Sequence, residues 1–196
     1  VEKPNPAMLE IIRHSDAFLR IDSAENPLEL SQVAPSQLST YRKSWKPFSE
    51  IRMKKRWCIT LYPTAGYAQQ AGMASAAFRQ FVEQAMYLDQ PDPVAAWLEL
   101  SRFQAALIER LKPVKEIRLE AAGTNLTLGV AGRTWINSDG KRNMPSGEVF
   151  TGPIETTAEG EISFNLPVVV SGQRVSGAYL RFEAGNVVQA KAEQGE

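Results

Sequence analysis

The first 115 residues combine helix-like spacing of apolar side chains with short apolar runs. Between residues 36 and 54, apolar positions recur every three or four residues, which predicts a helix, and Pro47 inside that stretch should kink or split it. The runs 17–21 and 57–62 have the length and composition of strands. A strand, a helix and a second strand over this length predict a βαβ unit with parallel strands.

Parallel strands favour ligand binding at one end of their sheet, because the crevices form outside the carboxyl ends of the strands. In this sequence those ends are Asp22 and Tyr62-Pro63-Thr64. Three more helices are predicted beside the unit. One begins at Asn5-Pro6, one carries the apolar residues between 78 and 86, and one begins at Asp92-Pro93 and stops at Pro113.

From Glu116 onward the apolar period changes to two, which is the period of a strand with one buried face. The dipeptide Ser171-Gly172 and the tripeptide Ala184-Gly185-Asn186 are hairpin signals. The sequence therefore predicts an α/β region over residues 1–115, with several helices, followed by an antiparallel β-rich region over residues 116–196. Strands are expected near 117–121, 126–130, 133–137, 148–151, 161–165, 168–170, 175–182 and 187–192.

Composition and charge exclude some classes of function. Lys and Arg together number 22, as do Asp and Glu, so the net charge is zero and the basic surface typical of nucleic-acid binding is not expected. No apolar run approaches the roughly 18–20 residues of a membrane span, so no membrane partner is expected. The single cysteine, Cys58, excludes an internal disulfide and suggests a reducing compartment.

In residues 136–153, the acidic residue Glu148 follows a tightly shaped loop. Asp139-Gly140 is a turn signal, Pro145 fixes its own φ, and Gly147 frees the backbone next to Glu148. The following residues, 148–151, alternate polar and apolar side chains like a strand. Glu148 is therefore expected at the start of a strand, where a rigid scaffold can present a loop for catalysis.

The segment Asn143-Met144-Pro145-Ser146-Gly147-Glu148-Val149-Phe150-Thr151-Gly152-Pro153 closely resembles a signature of the thermophilic-type metallo-aminopeptidases, the family of aminopeptidase T and aminopeptidase S. The resemblance continues, in the family's order, on both sides of this segment. It includes Arg56-Trp57-Cys58, Tyr62-Pro63-Thr64, Asp92-Pro93-Val94-Ala95-Ala96-Trp97 and Phe164-Asn165-Leu166-Pro167-Val168. A long collinear match of this kind is far more specific than an isolated Gly-Glu pair.

The resemblance implies that Glu148 is a ligand in a site for two divalent metal ions, zinc, cobalt or manganese. It implies an exopeptidase that removes the N-terminal residue of peptides through a metal-activated water, in a cytoplasmic homodimer. The family takes its other metal ligands and a catalytic tyrosine from sequence beyond the point that corresponds to Glu196. The chain is therefore expected to be a central fragment of such an enzyme and to be inactive alone.

Other interpretations of these residues stay open. Without the resemblance, the pattern favours a surface carboxylate on an edge strand for Glu148. The chain could also be a non-catalytic module for folding or association in which Glu148 is vestigial. His14 lies where a cation suits the end of a helix, and Cys58 lies in an apolar strand. Asp139 and Glu161 could support metal ligands or serve only in turns. Lys141-Arg142 could bind a substrate carboxylate.

Overall fold

The structure, a computed structural model, describes residues 5–170 and 173–195. Its helices are α1 (Pro6–His14), α2 (Pro35–Ser44), α3 (Lys46–Met53), α4 (Ala65–Gln70), α5 (Ser75–Ala85) and α6 (Pro93–Leu111). Its strands are β1 (Ala17–Asp22), β2 (Arg56–Leu61), β3 (Glu116–Ala121), β4 (Thr124–Gly129), β5 (Ile136–Ser138), β6 (Asn143–Met144), β7 (Glu148–Phe150), β8 (Glu159–Phe164), β9 (Val168–Val170), β10 (Gln173–Val175), β11 (Ala178–Glu183) and β12 (Asn186–Lys191). The predicted order, α/β followed by antiparallel β, is confirmed.

Contacts group the chain into two compact units. Unit 1 contains the described residues of Val1–Trp97 and of Asp139–Ser146, and unit 2 contains those of Leu98–Ser138 and Gly147–Glu196. The helix α6 begins in the first unit and continues in the second. The expected division of the chain into domains at residue 115 stays a prediction.

Unit 1 contains the predicted parallel pair. β1 and β2 run parallel, with Ala17 opposite Arg56 and Asp22 opposite Leu61, and two helices connect them. Those helices are α2 and α3. Pro47 lies in the first turn of α3, where its missing N–H costs no helical hydrogen bond. The structure therefore confirms that Pro47 splits the predicted helix.

A third, very short strand extends this sheet. β6 pairs in parallel with β2, with Asn143 opposite Ile59, and the Ile59 amide donates to the Arg142 carbonyl at 2.7 Å. No pattern in the sequence indicates β6, because two residues are too few to show a period. The pairing brings the loop 139–146 back to unit 1.

The helical caps follow the sequence. Asn5 accepts a hydrogen bond from the Ala7 amide at 3.0 Å, with Pro6 in the first turn of α1. Asp92 accepts from the Ala95 amide at 2.9 Å at the start of α6. Trp97 is buried, and its indole nitrogen donates to the Met86 carbonyl at 3.0 Å. These contacts fix the ends of the predicted helices.

Unit 2 is built on an antiparallel sheet of five strands in the order β12-β11-β8-β4-β3. Leu126 of β4 is buried, as are Val130 and Ala158, which lie next to β4 and β8 in the sequence. Gly160 in β8 has φ +109°, and a Cβ there would overlap the Asn125 carbonyl of β4. Only glycine fits that position in the sheet.

Most strand boundaries shift by a few residues from the prediction, and one predicted strand is divided. The expected strand 175–182 is interrupted, because β10 ends at Val175 and β11 begins at Ala178. Gly177 between them has φ +57°, which lies outside the strand region and ends the extended conformation. The hairpin signal Ala184-Gly185-Asn186 does connect β11 and β12, whereas Ser171-Gly172 lies outside the described residues.

Candidate functional site

Glu148 is the first residue of β7, and it pairs with Ser138 of β5 in a short antiparallel ladder. Its side chain is exposed. Within the part of the chain that the structure describes, its carboxylate has no hydrogen-bond or ion-pair partner. Sequence reasoning predicted an acid at the start of a strand, and the structure has that arrangement.

The backbone around Glu148 is held on both sides. Before it, the Gly147 amide donates to the Ser138 carbonyl at 2.9 Å, and Gly147 has φ +112°. After it, the Thr151 hydroxyl donates to the Thr134 carbonyl at 2.8 Å, and the Arg133 guanidinium donates to the Pro153 carbonyl at 2.7 Å. These contacts hold the backbone on both sides of Glu148 and leave its carboxylate without a partner among the described residues.

Arg133 also forms an ion pair with Glu155. A backbone hydrogen bond at Glu155, together with the hydrogen bond and charge of Arg133, lowers the pKa of the Glu155 carboxyl. The segment after β7 is therefore tied down by a carboxylate that is ionised at neutral pH. Glu155 itself is occupied by Arg133 and is not available as a ligand in this arrangement.

The loop 139–146, which precedes Gly147, forms its own network within unit 1. Gly140 has φ +85°, and a Cβ there would crowd Met144 and Trp97, so the predicted Asp139-Gly140 turn is confirmed. Lys141 forms an ion pair with Asp139, whose side chain is only 7% exposed. Asp139 is thus a largely buried partner of a lysine in the turn.

Arg142 lies over the indole ring of Trp57, with its guanidinium carbon 5.2 Å from the ring centroid. Arg52 approaches the same ring at 5.1 Å. Cation–π contacts of this kind are worth about 0.5–1 kcal/mol at exposed sites. Since Lys141 pairs with Asp139 and Arg142 packs on Trp57, the structure gives both side chains partners within unit 1.

The remaining sequence candidates also have local roles. His14 ends α1, with Nδ1 2.9 Å from the Glu10 carbonyl and a side chain that is 81% exposed. Cys58 is half-buried in β2. Glu161 accepts a hydrogen bond from the Tyr179 hydroxyl at 2.7 Å, which raises the pKa of Tyr179. Neither of these two hydrogen bonds involves Glu148.

The described residues fit one ligand position of a metal site. A carboxylate is a hard oxygen donor that suits divalent ions, and that of Glu148 is exposed and has no competing partner. Among the residues with described positions, no group of three or more His, Cys, Asp or Glu side chains could hold a metal ion. Catalytic zinc sites use about three protein ligands, so these residues do not complete such a site.

The sequence places this fold and this loop in a class of metal-dependent proteases. The chain belongs to the thermophilic metalloprotease family (M29), which it matches over residues 3–196. The resemblance that the signature segment indicated is thereby confirmed. None of the described helices is long and apolar enough to cross a membrane.

The relatives in this family are aminopeptidases by name. Aminopeptidase T of Thermus aquaticus is 32% identical over 187 residues, which cover 87% of this chain and 45% of that protein. Aminopeptidase 2 of Geobacillus stearothermophilus is 30% identical, covering 96% of this chain and 51% of that protein. The structure of wild-type AmpT from Thermus thermophilus superimposes with a TM-score of 0.78 at 26% identity, over 97% of this chain and 52% of that one. The chain spans about half the length of these relatives.

Proposed function

We propose that this chain forms part of a metal-dependent aminopeptidase, which hydrolyses the bond after the N-terminal residue of a peptide. Glu148 is the metal ligand that the chain contributes. The observation that carries the proposal is the exposed, unpartnered Glu148 carboxylate at the start of β7, within a chain of the metalloprotease family. The aminopeptidase names of its relatives support the activity and the substrate class.

The proposed site holds two divalent ions, zinc, cobalt or manganese. When bound, such a pair supplies an activated water and a polarised peptide carbonyl. Glu148 contributes one negatively charged oxygen ligand, and the hydrogen bonds of Gly147, Thr151 and Arg133 hold the backbone that flanks it. Because one carboxylate cannot hold a catalytic metal pair, we expect these residues alone to be inactive. The active enzyme is proposed to be a cytoplasmic homodimer that acts on peptides.

The test is substitution of Glu148 in a version of the protein extended past Glu196 along its reading frame. Glu148→Gln keeps the size of the side chain and removes its charge, so we expect hydrolysis of an aminoacyl p-nitroanilide to fall at least about a hundredfold, with less bound metal by elemental analysis. Glu116→Gln is the matched control, because Glu116 is also an exposed, unpartnered first residue of a strand. Equal activity and metal content in all three proteins would refute the assignment.

A second candidate is a non-catalytic association module in which Glu148 is vestigial. One observation favours it: β12 is at the edge of the five-stranded sheet, and its Val187 and Val188 are 52% and 50% exposed. Exposed apolar edge strands pair readily with other chains. Under this alternative the extended protein would show no metal-dependent hydrolysis, while Val187→Lys would reduce self-association in sedimentation velocity.

A further inference from the structure

A cavity of about 750 Å³ lies in unit 1, directly beyond the carboxyl ends of the parallel strands β1 and β2. Glu25, three residues after β1, lines it, as do Tyr62 and Thr64, which follow β2. Its volume is within the range of ligand sites, and its place is the one that α/β sheets favour for ligands. The sequence predicted Tyr62-Pro63-Thr64 at such a site. Asp22, predicted with them, pairs with Arg20 instead.

The base of the cavity is held by contacts between the two strand ends. The Thr64 hydroxyl donates to the Ala24 carbonyl at 2.5 Å and accepts from the Tyr67 amide at 3.2 Å. Gly66 is buried, and a Cβ there would overlap the Glu25 carbonyl. The backbone of Glu25 is therefore fixed against α4, and its carboxylate lines a preformed cavity.

The helix α5 supplies charges of both signs to the same cavity. Arg79 and Glu83 lie one turn apart, a spacing at which opposite charges often pair. Over the described ranges, however, neither side chain forms an ion pair or hydrogen bond, and neither does that of Glu25. One guanidinium and two carboxylates thus face a single cavity with their hydrogen-bonding capacity unused.

We propose that this cavity binds a small zwitterion, an amino acid or a short peptide with both ends free. Arg79 binds the carboxylate, because a guanidinium can donate two parallel hydrogen bonds to it. Glu25 and Glu83 bind the ammonium group, and Tyr62 lines the same cavity. The charged side chains that line the cavity favour a zwitterionic ligand, and this argument does not depend on the proposed peptidase activity. An aminopeptidase would nevertheless release zwitterions of this kind.

Calorimetric titration of this chain with dialanine, in EDTA to prevent metal-dependent hydrolysis, tests the inference. We expect saturable binding that weakens at least about tenfold in Arg79→Gln and in the double variant Glu25→Gln/Glu83→Gln, since each loses charge-assisted hydrogen bonds. N-acetyl-dialanine and dialanine amide each lack one charge, and we expect each to bind at least about tenfold more weakly than dialanine.

The matched controls are Arg102→Gln and Glu99→Gln, which change exposed, unpartnered side chains of α6 that do not line the cavity. We expect both to bind dialanine like the unmodified chain. The inference is overturned if dialanine does not bind saturably, if its blocked forms bind equally well, or if the cavity variants bind like the controls. Because EDTA excludes the metal chemistry, none of these outcomes bears on the role of Glu148.

Discussion

Glu148 stands at one end of β7 with its carboxylate exposed and its flanking backbone fixed by hydrogen bonds. Because the side chain has no partner in the described structure, its removal should hardly affect folding. We predict that Glu148→Ala changes the free energy of unfolding of this chain by less than about 0.5 kcal/mol, measured by urea denaturation. Glu159→Ala is the contrast, because Glu159 accepts a hydrogen bond from the Ala184 amide at 2.6 Å, and its loss should cost about 1 kcal/mol. A larger loss for Glu148→Ala would show that the carboxylate has a structural role.

Tyr179 links the pH dependence of stability to Glu161. The hydrogen bond to Glu161 favours the protonated phenol and raises the pKa of Tyr179 in the folded chain. This contribution to stability is complete below the pKa of an unfolded tyrosine and is lost as the pH rises through the higher folded-state pKa. We predict that Tyr179→Phe unfolds with a weaker dependence on alkaline pH than the unmodified chain, in denaturation series across that range.

The control is Tyr62→Phe, because the Tyr62 hydroxyl has no hydrogen-bond partner among the residues in the described ranges. Its stability should follow the same alkaline profile as the unmodified chain. Identical profiles for Tyr179→Phe and the unmodified chain would contradict the coupling between Tyr179 and Glu161.

At the candidate site, the sequence predicted the features that depend only on residues close together in the chain. The Asp139-Gly140 turn and the position of Glu148 at the start of a strand follow from neighbouring residues, and both are present. The contact of Arg142 with Trp57 could not be predicted, because it depends on the pairing of β6 with β2 across a long stretch of sequence. Nor did any local pattern bring Arg79 and Glu83 to the same cavity as Glu25.

Among the elements, Gly160 in β8 offers a direct test of the five-stranded sheet. A side chain there would meet the Asn125 carbonyl, and the φ of +109° is unfavourable for any residue with a Cβ. We predict that Gly160→Ala destabilises the chain by at least about 2 kcal/mol, measured by urea denaturation. Gly132→Ala is the matched control, since Gly132 also has a positive φ, +70°, but has open space around it. Equal losses in the two variants would show that β4 does not approach Gly160 as closely as described.

Elements with a long period or a strong breaker were predicted well, whereas the short elements α4 and β6 were not. Pro47 divided α2 from α3, and Asp92 began α6, as expected. α4 was missed because its six residues, Ala65–Gln70, are too few to show an apolar period. The break before β11 was not predicted, because Gly177 lies between two apolar stretches and a single glycine does not always end a strand.

For the whole molecule, the change of apolar period near Glu116 was enough to predict an α/β part followed by antiparallel β. The family followed from the collinear signature segments, which local periodicity alone would not have revealed. The described residues do not complete the proposed metal site. They contribute one suitable ligand, Glu148, and no group of three or more His, Cys, Asp or Glu side chains that could hold a metal ion. We therefore propose that this chain contributes one essential group to a larger catalytic arrangement.

The most direct measurement is hydrolysis of an aminoacyl p-nitroanilide with added cobalt, zinc or manganese, by this chain and by a version extended past Glu196. We predict no activity from this chain and metal-dependent, chelator-sensitive activity from the extended protein. Robust, chelator-sensitive activity from residues 1–196 alone would contradict this prediction, because Glu148 would then share the metal with groups such as Asp139, Glu161 or His14 that the structure engages elsewhere.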